Sequence, residues 1–371
     1  MTTANPVSSG PVVSVIVPAR NEEASLGACL ESLVGQTGVR FEIIVVDDGS
    51  TDRTREIAQS YAGVRVVDAG TLPPGWSGKN NALMAGATQA RGQWLLFTDA
   101  DTVHRPGSLA HALAEAQQCS AALLSYSPQQ EVHGMWEKAV MPVIFAELAA
   151  TYRPSRVSDP KSAAAAANGQ YLLISREAYD AVGGHAAVAS SLLEDVELAR
   201  AVKLSGRRIF FRHGGDSVRT RMYRSFAQLC EGWTKNLVLL FPTPGRLSVL
   251  RLTEFVLIVG SIAVAIIKVA SGKFQVATLA AVLGLSMLGL LLKRIRRAHF
   301  SWEANVLSPM GLPLFAYLLL RSKLAYKKES VSWKGRSYRT DQSVDLVGKG
   351  AVGAGRLHDS RHDAGATVVR G

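Results

Sequence analysis

The chain opens with short β-branched runs that alternate with segments of helical period. Residues 12–17 form an apolar run that reads as a buried strand, and residues 22–34 carry helical periodicity. Residues 41–46 read as a second strand, and Ser50 is placed to cap a helix over 51–61. A third strand is expected at 64–67, followed by a Pro/Gly loop at 72–78 and a helix at 79–90. The next pair is a strand at 94–98 and a helix at 107–118. Strands alternating with helices imply βαβ units and a mostly parallel sheet.

Beyond residue 125 the alternation weakens. Residues 135–152 form a helix rich in large apolar side chains, which suits either a membrane surface or an ordinary core position. Small residues at 163–167 lead to Asn168-Gly169, then a strand at 170–175, a helix at 176–182 and a loop at Gly183-Gly184. Three apolar segments follow, at 247–267, 276–292 and 304–320. A spanning helix needs about 20 apolar residues. The first two segments meet that length and read as a helical hairpin. The basic run Lys293-Arg294-Ile295-Arg296-Arg297 then belongs on the cytoplasmic side. The third segment holds Pro309 and Pro313 and ends in Arg321, Lys323, Lys327 and Lys328. A simple third span would place that basic end outside, so a broken re-entrant or interfacial helix is expected.

These boundaries give five regions: a flexible start at 1–11, an α/β domain at 12–240, a membrane region at 247–320, a basic cytoplasmic segment at 321–343 and a disordered tail at 344–371. His358 and His362 belong to the solvated tail. Residues 1–11 lack the apolar core of a signal peptide. Cys29, Cys119 and Cys230 have no metal-ligand spacing and fit reduced, inert thiols. The net charge of +11 is concentrated after residue 200. No zinc-finger, RRM or aromatic-basic pattern accompanies it, which excludes nucleic acid as the partner and favours an anionic membrane surface.

The candidate chemistry lies where strands end. Asp47-Asp48 follows the second strand, Asp99-Ala100-Asp101 the fourth, and Glu194-Asp195 begins an amphipathic stretch. In an open parallel sheet the carboxyl ends of the strands form the ligand crevice. Adjacent carboxylates repel, so a cation or hydrogen-bond donors must compensate Asp47 and Asp48; an Asp-Gly turn with a Ser cap is the plainer alternative. Asp99 and Asp101 are hard oxygen donors suited to a divalent cation that also binds phosphate. Lys79, in a flexible loop at a helix start, suits phosphate or sugar contact; a solvated lysine is the alternative.

Pro18-Ala19-Arg20-Asn21-Glu22 followed by Val45-Val46-Asp47-Asp48-Gly49-Ser50-Thr51-Asp52 resembles family 2 glycosyltransferases of the GT-A fold. The resemblance runs over about 12–236 and includes the two later acidic clusters. It implies an inverting transferase dependent on a divalent metal, Mg²⁺ or Mn²⁺. Pro18, Arg20, Glu22, Asp47, Asp48 and Asp99 would hold a nucleotide-sugar donor, expected to be a UDP-sugar. Asp101 would coordinate the metal directly, with Asp99 on the ribose or on the metal through water. Asp195 would be the catalytic base, and Glu194 would orient Asp195 or the acceptor.

Processive members carry Gln-x-x-Arg-Trp where this chain has Gln228-Leu229-Cys230-Glu231-Gly232-Trp233. The stretch is one residue longer and lacks the arginine, which speaks against polymer synthesis. Arg221 and Arg224 could supply that charge to the diphosphate, with Trp233 beside them; lipid headgroups are the alternative partners of the two arginines. The Gly75-Trp76-Ser77-Gly78-Lys79 loop, the run from Arg221 to Asn236 and Trp333-Lys334-Gly335-Arg336-Ser337-Tyr338 look most like hopanoid-associated and carotenoid glycosyltransferases. The implied acceptor is an isoprenoid lipid, met by a cytoplasmic catalytic domain of a multi-pass protein in the inner cell membrane. The rival functions are a polyprenyl-phosphate glycosyltransferase and a non-catalytic nucleotide-binding scaffold.

Overall fold

The computed structural model describes residues 10–328 and the backbone of two short strands at 331–333 and 336–338. The expected flexible start, except for its last two residues, and the disordered tail at 344–371 lie outside the described residues. The chain begins with β1 (Val13–Ala19), α1 (Leu26–Val34), β2 (Phe41–Asp47), α2 (Thr54–Gln59), β3 (Val64–Asp68), α3 (Gly78–Gln89) and β4 (Trp94–Phe97). β1 pairs in parallel with both β2 and β4, and β2 with β3. Parallel strands are covered on both faces, which explains why Val13, Val15, Ile16 and Val17 show no exposed surface.

Then come β5 (Thr102–His104), α4 (Ser108–Gln118), β6 (Leu123–Ser127), β7 (Gln129–Gln130), α5 (Met135–Thr151), α6 (Pro154–Val157), β8 (Leu172–Ser175) and α7 (Arg176–Ala181). α8 (Glu194–Leu204), β9 (Ile209–His213), β10 (Val218–Thr220) and α9 (Phe226–Leu240) complete the α/β domain. The main sheet has seven strands in the order β3-β2-β1-β4-β8-β6-β9. β8 runs antiparallel between β4 and β6, while β9 is parallel to β6. β5, β10 and β7 form a second small sheet at the end where β4 terminates.

Local chemistry sets several helix starts. Ser77, Ser175 and Ser225 accept from the backbone amides of Asn80, Ala178 and Gln228, so each satisfies an otherwise orphaned N–H. Ser50 differs from expectation. It does not cap α2, which begins at Thr54; its hydroxyl accepts from Asn21 N and its own amide donates to Asp47. The β1–α1 loop and the β2–α2 loop are tied together instead, and α2 loses its first turn to that tie.

Three helices follow: α10 (Pro244–Ala270), α11 (Phe274–Ile295) and α12 (Trp302–Lys327). Among the described residues they are the three long and apolar enough to cross a membrane. Only 17% of the apolar window of α10, and of the span built on α11, is buried, against 44% for α12. α10 and α11 therefore leave apolar residues such as Val256, Ile266, Leu279 and Val282 uncovered. α12 packs against α5, α9 and α10.

The open reading of 135–152 is decided here, and the expectation for the third apolar segment changes. α5 buries Val140, Met141, Val143 and Ile144 in one cluster with Trp233, Phe315 and Leu319. It is a core helix of the junction rather than a surface helix, because α12 covers the face that would have met lipid. Gly311 makes that contact: a Cβ there would sit 2.0 Å from the Ala139 carbonyl oxygen. The segment expected to be broken at its prolines is one continuous helix. Pro309 cannot donate to the Asn305 carbonyl, but the Ser308 hydroxyl does so at 2.6 Å, which repairs the gap.

The hairpin is fixed to α5 by buried charge. Arg251 and Glu254 of α10, Arg294 of α11 and Glu147 of α5 form a closed quartet with contacts of 2.6 to 3.2 Å. Two cations against two anions leave no net charge in the apolar layer.

Candidate active site

A cavity of about 1200 Å³ opens at the carboxyl ends of β1, β2 and β4. It is lined by Pro18, Arg20, Glu22, Asp48, Lys79, Asp99, Asp101, Glu194, Asp195, Arg221, Arg224 and Trp233. Of the residues singled out in the sequence, only Asp47 stays outside it. Asp47 accepts from Ser50 N at 3.1 Å and meets Arg55 at 3.4 Å, and Arg55 also grips Asp68. The repulsion expected between the paired aspartates is relieved by turning them apart. Asp47 braces the loop, and Asp48 faces the cavity while its carbonyl accepts from Arg20 Nη1 at 2.6 Å.

Lys79 is partly exposed, with 36% of its side-chain surface accessible, yet its ammonium is held by carboxylates. Its Nζ lies 2.8 Å from Asp99 Oδ1 and 2.8 Å from Glu194 Oε1, joining two of the acidic clusters. Burial opposes its charge, but Asp99, Glu194 and Asp195 hold it well above the ordinary lysine range. The Ser77 cap fixes the first turn of α3 and so the root of this side chain.

Glu194 and Asp195 occupy the first turn of α8, where the helix dipole favours negative charge. Asp195 Oδ2 accepts from Gly169 N at 2.7 Å, and Oδ1 accepts from Val196 N at 2.8 Å. Burial first, and then the neighbouring charge of Glu194, push Asp195 up to about 7. Glu194 goes the other way: burial would raise it, yet the Lys79 ammonium holds it below the ordinary carboxylate range. The pair is thus split into an ionised Glu194 and an Asp195 that exchanges a proton near neutrality, the condition an effective general base needs. Gly169 is packed at their centre. A Cβ there would lie 3.1 Å from Lys79 Nζ, 3.5 Å from Glu194 Oε1 and 3.6 Å from Asp195 Oδ2.

Asp99 and Asp101 line the cavity at the start of the turn into β5. Among the described residues no three His, Cys, Asp or Glu side chains form a metal site by themselves. Two carboxylates facing a cavity nevertheless suit a hard cation that takes its other ligands from substrate phosphate and water. His104, close by, is buried against Thr98 and kept neutral, its pKa pulled down to about 3 by burial.

The basic residues divide. Arg224 donates from Nη2 to Ala24 O at 2.9 Å, bracing the β1–α1 loop, whereas Arg221 Nε is buried without a hydrogen-bond partner. Trp233 lies deeper than expected, edge-on to Phe145 and tilted against Tyr223, with both ring centroids 6.1 Å away. It therefore stands on the side of the cavity formed by α5 and α9.

Sequence reasoning missed four contributors. Gly169 supplies a backbone donor to Asp195, and only its lack of a side chain hinted at this. Lys235 of α9 lines the cavity in the field of Glu194, Lys79, Asp99 and Asp195, and burial pulls it below the ordinary lysine range. Phe145, Leu148 and Tyr152 of α5 form an apolar wall, and Arg296, Arg297 and His299 bring the end of the hairpin to the same cavity. Their periodicity was that of ordinary amphipathic helices and of a juxtamembrane basic run.

A seven-stranded, mostly parallel sheet whose acidic edge opens into one large cavity defines a transferase of the GT-A type. The profile of Glycosyl transferase family 2 matches residues 14–183. The 4,4'-diaponeurosporenoate glycosyltransferase of Staphylococcus aureus strain MRSA252 is 30% identical over 339 residues, covering 88% of each chain. The chain belongs to glycosyltransferase family 2. Among solved structures, the mannosyltransferase PcManGT from Pyrobaculum calidifontis, in complex with GDP-Man and Mn²⁺, aligns with a TM-score of 0.49 at 18% identity, over 86% of this chain and 87% of that one. S. aureus TarS 1-349 in complex with UDP-GlcNAc aligns with a TM-score of 0.42 at 16% identity, over 85% and 91%.

Proposed function

We propose that this protein is a membrane-anchored, inverting glycosyltransferase that moves a sugar from a nucleotide-sugar donor to an isoprenoid-type lipid. The observation that carries this reading is that one cavity is lined both by Asp48, Asp99, Asp101 and Asp195 and by Phe145, Leu148, Tyr152 and Trp233. A polar donor and an apolar acceptor can meet there without either crossing the phase of the other. The 30%-identical relative named for diaponeurosporenoate supports an acceptor of carotenoid type.

Pro18, Arg20, Glu22 and Asp48 hold the nucleoside, and Lys79 and Arg221 face the diphosphate. Asp101, assisted by Asp99, would hold a divalent cation, which when bound neutralises the diphosphate leaving group. Asp195 takes the proton from the acceptor hydroxyl as that oxygen attacks the anomeric carbon from the face opposite the leaving group. Glu194 stays ionised on Lys79 and keeps the Asp195 carboxyl basic. The bands of exposed apolar residues on α10 and α11 suit a hairpin that crosses the bilayer. α12, packed along α5 and α9, suits the interface, which returns its basic end to the cytoplasmic side as the charge rule requires. The catalytic domain occupies 12–240 and the membrane region begins near residue 244.

A second reading concerns the acceptor oxygen. The relative's name denotes a carboxylate, and an acceptor that is already an anion needs no base. An Asp195 protonated near neutrality would then relieve repulsion, and transfer would fall rather than rise above pH 7.

The test is incubation of the full-length protein in lipid with several radiolabelled nucleotide sugars and a bacterial lipid extract, with mass analysis of the labelled product. The reading expects label in an isoprenoid lipid with inverted anomeric configuration. Label confined to free sugar for every donor would overturn it.

A further inference from the structure

The segment that delivers Glu194 and Asp195 has no regular structure of its own. It leaves a single 3₁₀ turn at Gly184–Ala186 and runs to the start of α8 at Glu194. Gly183 and Gly184 adopt φ values of 80° and 55°, so it begins on a left-handed turn that favours glycine. Carbonyl groups in such a segment have no ladder or helical partner and must be met from elsewhere.

One side chain meets three of them. Asn80, in the first turn of α3, has no exposed surface. Its Nδ2 donates to Val188 O at 2.7 Å, Ala189 O at 3.0 Å and Ser191 O at 3.0 Å. The backbone adds a further tie, from Ser77 N to Ala189 O at 2.8 Å. Chemistry fixes the direction of the amide: turned over, its oxygen would face three carbonyl oxygens. Oδ1 is left buried without a hydrogen-bond partner. A buried amide with one half unpaired is destabilising in itself, so its contribution lies in the carbonyls that the other half gathers.

The far end of the segment rests on α9 and α12, where Leu192 and Leu193 pack with Leu239 and Tyr326. Directly beyond it, Glu194 Oε1 lies 2.8 Å from Lys79 Nζ, and Asp195 Oδ2 accepts from Gly169 N at 2.7 Å. Lys79 and Asn80 are consecutive. The same turn of α3 therefore holds the carboxylate with one side chain and the backbone that carries it with the next.

We propose that Asn80 is the positioning residue of the Glu194–Asp195 pair: by gathering the carbonyls of 188–191 it sets where α8 begins, and so keeps Glu194 on Lys79 and Asp195 on Gly169. The assignment rests on the glycosyl-transfer reading above. Asn80 is not among the residues that line the cavity, so it acts through the segment and not on a substrate.

The experiment compares the wild type with Asn80→Ala, Asn80→Asp and Leu193→Ala, all full length in lipid micelles. Transfer is read as lipid labelling at saturating extract, and UDP affinity by titration. Hydrogen exchange is followed at the amides of Gly169 and Val196, both of which donate to Asp195. A misplacement of about 1 Å costs about 10²-fold in rate, so Asn80→Ala is expected to lose that much while UDP affinity stays within threefold. Exchange at both amides should quicken at least tenfold. Asn80→Asp keeps the shape but turns a carboxyl group toward the three carbonyls, and should lose at least as much. Leu193→Ala loosens the segment from its other end without touching the buried amide, and should likewise slow labelling and quicken exchange at Gly169. Wild-type labelling and unchanged exchange in Asn80→Ala, even with a lower thermal midpoint, would overturn the proposal and leave Asn80 a support of the fold alone. Tenfold weaker UDP binding with unchanged exchange would place the effect on Lys79 and also overturn it, as would unchanged exchange in Leu193→Ala. Quickened exchange in the variants without labelling by the wild type would instead refute the transfer reading and leave the positioning role standing.

Discussion

Replacing Glu194 by Gln should shift the pH dependence of transfer without removing the group that titrates. Asp195 stands at about 7 because it is buried and because Glu194 is charged beside it. The substitution deletes the second cause and leaves the Lys79 ammonium to act on Asp195 alone. Glu194 Oε1 and Asp195 Oδ2 lie 3.5 and 3.6 Å from the point a Gly169 Cβ would occupy, so they are no more than about 7 Å apart, and at an effective dielectric of about 20 one unit charge at that distance contributes ~2–3 kcal/mol, or ~2 pK units. Burial remains, so the acid limb should move down by about 1–2 units. The sign follows from the role. A base must be unprotonated, so wild-type initial rates should fall as pH drops through about 7. In Glu194→Gln the fall should begin closer to pH 5–6 by the same estimate. The assay is initial rate of lipid labelling from pH 5 to 9 at subsaturating acceptor, with UDP affinity followed in parallel. A limb that stays at its wild-type position, or moves up, would refute the claim that Glu194 tunes Asp195. A wild-type rate that declines above neutrality would favour the anionic acceptor.

Three further outcomes are expected. Gly169→Ala should lower turnover at least tenfold while the protein stays folded, because its Cβ would sit 3.1 Å from Lys79 Nζ; labelling rate and thermal unfolding together check this. Arg251→Met leaves Glu147 and Glu254 sharing Arg294 alone, and should destabilise the folded state by about 3–5 kcal/mol in detergent unfolding; a loss under about 1 kcal/mol would mean that the quartet is hydrated. Asp101→Ala should weaken the divalent-metal dependence of UDP binding, and unchanged metal dependence would remove Asp101 from the cation site.

Much of the α/β domain was legible because its strands are short apolar runs, and those of β2 and β4 stop at or just before aspartates. Val13–Ala19 and Phe41–Asp47 could be placed by their apolar content, and their ends identified the crevice. What periodicity does not carry is the direction of side chains beyond a strand end. Asp47 and Asp48 look equivalent in sequence, yet Arg55 claims one and leaves the other to the cavity. α5 read equally as a membrane-surface or a core helix because its partner, α12, lies far along the chain and meets it through Gly311. The prolines of α12 predicted a break, since nothing in local propensity shows that Ser308 will donate to the carbonyl Pro309 cannot serve. Lys235 was hidden for a related reason. On a helix otherwise packed against apolar neighbours it resembles a solvated lysine, and only the tertiary fold brings it beside Glu194 and Asp195.

The most direct measurement of the central claim uses proteoliposomes that carry the wild type or Asp195→Asn, supplied with the radiolabelled nucleotide sugar that labels the extract. The account predicts that label enters the organic phase with the wild type. It predicts a loss of at least a hundredfold with Asp195→Asn, while UDP affinity is retained within a few fold. Near-normal labelling by Asp195→Asn would contradict the assignment of Asp195 as the base, and label confined to the aqueous phase with the wild type would contradict transfer to lipid.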